Sequence, residues 1–318
     1  MNATDISKEL YKVIQDKEVR GQIHSVFDNS FNVLDENSKL ISFLGPNKPM
    51  APYSIRIKEK ISFLDLGLEK GQQLTFFKDF VSIGSTDIVI HYNKALLWDS
   101  SPILFQDKRL ARDSIENVFT KLSLMAEFIL NEGKKEGIFP LLKTLKDKIK
   151  YIDKLFDDTI TLSKKEDFIK DRFLSFMDSY ISEDVEKLPQ SASKVVGYGI
   201  GLTPSMDDFL SGIMASRIYL SSYLNLDLKK AYEINEAIIK NINNKTTLVS
   251  QEMMKCSSRG EVNEDFRSLI ISLLANRGID DFYKYLEKVS DFGETSGTDI
   301  ICGVYIGSLI MLNEYLGG

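Results

Sequence analysis

Two histidines, two cysteines and one tryptophan in 318 residues leave little material for several common chemistries. His24 and His91 both fall in strand-like text, so a Cys–His nucleophile pair or a His-rich metal centre has little to build on. Neither Cys256 nor Cys302 has a second Cys or a His at metal-ligand spacing, which argues against a structural zinc and leaves no metal centre to assign. Two isolated cysteines make no disulfide framework, which fits a reducing compartment, and a cytoplasmic protein is expected. The longest apolar run, 300–312, falls short of the ~20 residues a membrane span needs and reads as a buried core helix. Residues 2–18 are polar and helical in pattern, without an apolar core of signal-peptide length. Positive charge is not in excess either. Forty Lys and Arg against 46 Asp and Glu give a net charge of −6, and the lysines of 143–154 are interleaved with acids. Neither a nucleic-acid nor a membrane partner is expected.

The chain is long enough for two domains with a sizeable core. The first hundred residues read as short strands after an opening helix: 22–27, 31–34, 39–44, 53–57, 73–77, 80–83 and 87–92 are rich in β-formers and bounded by turn residues. From about residue 108 the pattern becomes helical. Ile115, Val118, Phe119, Leu122, Met125, Ala126 and Ile129 follow helical spacing. Further helices are expected near 138–161, 164–181, 204–223, 228–242, 247–258, 262–276, 279–288 and 296–316. The fold class is therefore α+β. A β-rich, barrel-like or sandwich domain (1–107) with a leading helix precedes an all-α domain (108–318). Two helices of the latter carry small residues: Ser211, Gly212, Ala215 and Ser216 in one, Gly303, Gly307 and Ser308 in the other. They are expected to be buried neighbours.

Each of these two helices is preceded by the same turn chemistry. Gly201-Leu202-Thr203-Pro204-Ser205-Met206-Asp207-Asp208 and Gly293-Glu294-Thr295-Ser296-Gly297-Thr298-Asp299 share the pattern Gly, any residue, Thr, three residues, Asp. A glycine turn feeding a helix start exposes unpaired N–H groups and the positive end of the helix dipole, which suits an anion. Thr203 reads as an N-cap with Pro204 at the first helical position, and Asp207 and Asp299 read as counterparts one turn in. The plainer reading of each copy is a capped helix with an acidic first turn. The repetition favours a ligand site built from Gly199, Gly201, Thr203, Ser205, Thr295, Ser296 and Gly297, with Asp208 beside them. Thr246 and Thr247 open a further helix and join the candidates. The carboxylates need a reason to sit beside an anion. Asp207 and Asp299, the candidate catalytic pair, could bind an amide NH on the same ligand or hold a divalent cation such as Mg²⁺. No other cofactor is called for.

The string Gly199-Ile200-Gly201-Leu202-Thr203-Pro204-Ser205-Met206-Asp207-Asp208-Phe209-Leu210-Ser211-Gly212 resembles the signature of a family that includes AllH, a subunit of oxamate carbamoyltransferase. The likeness extends through 246–250, Gly260-Glu261 and 295–303, and to 95–99 in the first domain. Ile200 stands where the family usually has Pro, and Met206 where it usually has Gly. The resemblance implies a subunit that works with other protein subunits in purine-nitrogen catabolism. Such a complex interconverts oxalurate and phosphate with oxamate and carbamoyl phosphate. Small anions of this kind (phosphate, carbamoyl phosphate, oxamate) are the expected ligands. A non-catalytic scaffold or ligand-sensing partner is the alternative.

Overall fold

The structure, a computed structural model, describes residues 1–84, 86–107, 110–150, 152 and 161–317. The chain divides into two compact units, one of Met1–Ser101 with Val262–Glu264 and one of Pro102–Glu261 with Asp265–Gly318.

The first unit is a single curled sheet of nine strands, a half-barrel. In chain order these are β1 (Ala3–Ser7), then, after helix α1 (Lys8–Asp16), β2 (Val19–Phe27), β3 (Ser30–Asp35), β4 (Leu40–Leu44), β5 (Ser54–Ile57), β6 (Gln73–Phe76), β7 (Phe80–Ile83), β8 (Val89–His91) and β9 (Leu96–Trp98). Their order across the sheet is β8-β7-β6-β2-β3-β4-β5-β1-β9. The curl carries Asn2, just ahead of β1, to a bridge with His91 of β8, so the two ends of the order approach each other. Alternation along the strands places Ile23, Phe31, Val33, Ile41, Phe43, Ile55, Ile57, Phe76 and Val81 on the concave core. There Phe31 stacks on Phe43 with ring centroids 4.3 Å apart. Two strands, β1 and β9, lie outside the strands expected from the sequence. Residues 3–7 are strand rather than the start of a helix, because β1 pairs antiparallel with β5 and parallel with β9. Those partners lie far along the chain, where local pattern does not reach.

The second unit is helical: α2 (Ile115–Asn131), α3 (Lys164–Ile181), α4 (Leu188–Ala192), α5 (Ser205–Leu224), α6 (Leu228–Ile239), α7 (Leu248–Ser258), α8 (Glu264–Leu274), α9 (Ile279–Ser290) and α10 (Ser296–Gly317). The starts are capped as their residues dictate. Ser114 accepts from the Asn117 N–H, Ser163 forms a reciprocal capping box with Glu166, and Asp227 accepts from the Lys229 N–H. The helix expected over 138–161 is instead a 3₁₀ stretch, Phe139–Leu145, followed by turns. Pro140 in its first turn cannot donate to a preceding carbonyl, and the stretch at 151 and 153–160 lies outside the described residues. The short α4 begins at Leu188–Pro189, where the sequence reading saw only a break.

α5 and α10 form the centre of this unit. Every residue of α5 is buried, as is α10 from Gly297 to Leu312. By length and composition α10 could cross a membrane, yet most of its apolar stretch is buried inside the structure. The two helices run parallel and touch backbone to backbone. A methyl on Gly303 would lie 2.1 Å from the Phe209 carbonyl oxygen, and one on Gly212 2.4 Å from the Ile300 oxygen; further along, Gly307 meets Ile213 and Ser216. Residue i of α5 therefore lies beside residue i+91 of α10. Buried Asn235 of α6 ties the surrounding helices in, donating to the Met214 oxygen at 2.9 Å and to the Ser258 oxygen at 3.0 Å.

In an ordinary helix interior, Gly→Ala stabilises by up to about 1 kcal/mol. Here Gly303→Ala is expected to destabilise by about 1–3 kcal/mol, because the new methyl meets backbone that cannot swing away. Gly317→Ala, where a methyl meets nothing, is expected to cost nothing measurable. Urea unfolding monitored by helical circular dichroism checks both.

Candidate functional site

The parallel pairing brings the two motif turns together at one end of the α5–α10 pair. Thr203 and Ser296 share a hydroxyl–hydroxyl hydrogen bond of 3.0 Å, and Ser205 and Thr295 another of 3.2 Å. The bonds cross from one motif to the other, so neither helix start is complete without its partner. The register makes Asp208, not Asp207, the neighbour of Asp299. The motif spacing counts Asp207 and Asp299 as equivalents, but the packing offset of 91 residues selects the next aspartate.

The local roles also differ from the sequence reading. Pro204 is the N-cap of α5, with extended ψ and no side-chain bond, and Thr203 precedes it. The carbonyl of Pro204 takes the Asp207 and Asp208 N–H groups at 2.9 and 3.2 Å, which shifts the helix start by one residue. The first-turn N–H donors are partly occupied: Met206 N–H donates to the Tyr198 oxygen at 3.0 Å and Gly297 N–H to the Phe292 oxygen at 2.9 Å. Gly199 makes the first of these turns feasible. Its φ is +122°, and a methyl there would lie 2.4 Å from the Ser205 nitrogen. Gly199 and Gly201 lie exposed in the loop, whereas Gly297 is buried against Val289 and Ser290.

Asp207 turns away from this pair. Its Oδ1 accepts from the Gly197 N–H at 2.8 Å, and its Oδ2 accepts from the Ser250 hydroxyl at 2.6 Å and from the Thr246 hydroxyl. Thr247 caps α7, accepting from the Ser250 N–H at 3.1 Å while its own hydroxyl donates to the Leu202 carbonyl. Asp207, Thr246, Thr247 and Ser250 thus clip the 197–203 loop to the start of α7. Burial raises the Asp207 pKa, and these three donated bonds pull it back part way.

Asp208 and Asp299 are in a different condition. Both are buried, and the Oδ2 atom of each has no hydrogen-bond partner among the described residues. Burial drives the Asp208 carboxyl well above its ordinary range, and the nearby Asp299 charge adds to this while the Ser296 and Thr203 hydroxyls oppose it. Burial pushes Asp299 up to about 7, against the Ile138 N–H, which donates to its Oδ1 at 2.7 Å, and the hydroxyls of Ser205 and Thr295. Among the described residues no Lys, Arg or His charge is a cause of either shift. Among the described residues no group of three or more His, Cys, Asp or Glu side chains is placed to hold a metal.

Sequence reasoning missed three parts of this environment. The Gly137–Ile138 turn closes on the Asp299 carboxylate. The Thr298 hydroxyl accepts from the Lys134 N–H at 3.0 Å. Tyr198 lies close enough to Asp299 and Glu166 that their charges, after burial, help raise its hydroxyl to about 12. Gly137 reads in the sequence only as a break, since nothing local announces what it will touch. Around the motif loop, Ile200 is 80% exposed, with Leu202 and Leu248 at 39% and 43%.

A helical unit centred on two parallel, crossed motif helices, together with a half-barrel sheet unit, defines the class of protein. Residues 195–308 match the family described as oxamate carbamoyltransferase subunit AllH, and residues 2–97 match the AllH family N-terminal domain. Together these matches cover most of the chain, and the protein belongs to the AllH family. No solved structure matches it significantly.

Asp207→Ala is expected to destabilise the fold by about 1–3 kcal/mol, because it strands the buried donors that now converge on its two oxygens. Equilibrium urea unfolding measures the difference, and a change within 0.5 kcal/mol would rule out the clip.

Proposed function

We propose that this chain is a subunit of a carbamoyl-transferring enzyme of the oxamate and oxalurate type, and that its ligand site lies where the starts of α5 and α10 meet. The observation that carries the reading is the crossed set of four hydroxyls, Thr203 with Ser296 and Ser205 with Thr295, beside two buried carboxyl groups whose outer oxygens lack a partner. A buried acceptor without a partner calls for an explanation, and a bound ligand supplies one. The family description supports the carbamoyl-transfer part of the reading and the presence of other subunits.

In this reading the hydroxyls and the exposed 199–202 loop bind the oxygens of phosphate or of a carboxylate. In carbamoyl transfer the oxamate amide nitrogen bonds to the carbamoyl carbon, the carbon–oxygen bond to phosphate breaks, and the nitrogen loses a proton. Charge grows on the departing phosphate, so preorganised donors contribute most at that point. Asp207 has a supporting role, holding the loop that carries Thr203. The first-turn N–H groups contribute less than the motif alone suggests, since those of Met206, Asp207 and Gly297 already have partners.

One observation favours the scaffold alternative. Both histidines of the chain belong to the sheet unit, and Cys302 next to the site is fully buried with its thiol pKa raised well above normal by burial. The site therefore offers no evident nucleophile, and the partner subunits would hold the reacting carbon.

Two measurements test the proposal. Phosphate at about 100 times its dissociation constant is expected to stabilise the isolated chain by about 2.7 kcal/mol beyond an ionic-strength control. Thr203→Val with Ser296→Ala is expected to remove most of that gain. In the complex reconstituted with its partner subunits, the same double variant is expected to lower oxalurate phosphorolysis at least tenfold, equivalent to about 1.4 kcal/mol of transition-state binding. Unchanged phosphorolysis would leave the scaffold alternative standing.

A further inference from the structure

The aspartates of the two motifs provide an internal comparison. Asp207 is buried and has donors on both oxygens. Asp208 and Asp299, equally buried, each leave Oδ2 without a partner. The side chains bonded to them are hydroxyls: those of Ser296 and Thr203 lie against Asp208 and those of Ser205 and Thr295 against Asp299, whose Oδ1 also accepts from the Ile138 N–H. A hydroxyl that donates one bond keeps lone pairs free to bind a cation. Two carboxylates and four hydroxyls, with no nitrogen or sulfur among them, are a donor set for a hard cation. Two carboxylate charges balance one divalent charge, and among the described residues no Lys, Arg or His is a cause of either shift.

We infer that Asp208 and Asp299 together bind one divalent hard cation of the Mg²⁺, Mn²⁺ or Ca²⁺ class, with the crossed hydroxyls of Thr203, Ser205, Thr295 and Ser296 beside it. The inference rests on the reading that this end of the helix pair is the ligand site, and it deepens that reading. The cation accounts for two acids at an anion-binding helix end. Beneath the exposed 199–202 loop it replaces a repelling floor with an attracting one and offers the anion a positive charge to bridge to. Asp207 is not a ligand in this arrangement, because its oxygens hold the loop.

The test uses the isolated full-length chain, treated with chelator and dialysed, without partner subunits. MnCl₂ is titrated in and free Mn²⁺ is read by electron paramagnetic resonance. One saturable site per chain is expected, displaced by MgCl₂ or CaCl₂, with binding weakened at least tenfold in Asp208→Asn and in Asp299→Asn. Circular dichroism checks the fold of both variants. Should either fail to fold, Ser205→Ala with Thr295→Val probes the same shell and is expected to weaken Mn²⁺ binding. Absence of a saturable site in the wild-type chain, or a site of unchanged affinity in the folded variants, overturns the inference. A phosphate titration with and without MgCl₂ separates it from the functional reading. Stabilisation by phosphate that ignores the cation overturns the inference and keeps the anion site, whereas Mn²⁺ binding without any phosphate response keeps the cation and removes the anion reading.

Discussion

The backbone contact between α5 and α10 is the constraint on which the rest of the helical unit depends. Glycines at 212 and 303 let the two helices approach without side chains between them. Such an approach has essentially one register, because ridges of ordinary side chains would offer several neighbouring fits whereas a bare contact tolerates no slip. That register sets which hydroxyl meets which and places Asp208 rather than Asp207 beside Asp299. A shift of one residue on either helix would rotate one carboxyl out of the pair by about 100°.

Two kinds of buried acid lie within one turn of helix. Asp207 and Asp208 are adjacent, so they point to different sides of α5. The first faces α7, where Thr246, Ser250 and the Gly197 N–H meet its need for donors. The second faces α10, where burial raises its carboxyl and the hydroxyls of Ser296 and Thr203 only partly offset that rise. Buried polar groups are costly unless satisfied, so the second arrangement contributes less to stability than the first.

Much of this architecture is legible in the sequence, and the gaps have identifiable physical causes. Alternating residues such as Ser54-Ile55-Arg56-Ile57 announce a half-buried strand, and β5 forms there. Ala3-Thr4-Asp5-Ile6-Ser7 announces nothing, because β1 is specified by pairing with β5 and β9 and not by its own pattern. The small residues of α5 and α10 reveal that the helices are close neighbours. Their direction and register are tertiary properties, so the partner of Asp299 is misread by one residue when spacing is the only guide. The hydroxyl-bearing positions 203, 205, 295 and 296 are visible as a repeated motif, but their crossed bonding is not. Likewise the approach of Gly137–Ile138 to Asp299 joins segments some 160 residues apart, a separation no local signal spans.

The distance along the chain between the two central helices has a consequence for biosynthesis. α5, buried on every face, is made about 90 residues before the stretch of α10 that covers it. At roughly 5–20 residues per second of translation, α5 emerges from the ribosome and stays without its main partner for about 5–20 s. α5 carries Asp207, Asp208, Arg217 and several serines, but its apolar residues, Phe209, Leu210, Ile213 and Met214 among them, lack their cover for that interval and offer a surface for aggregation or for a chaperone. The cover for those residues arrives only when residues 296–312 have appeared.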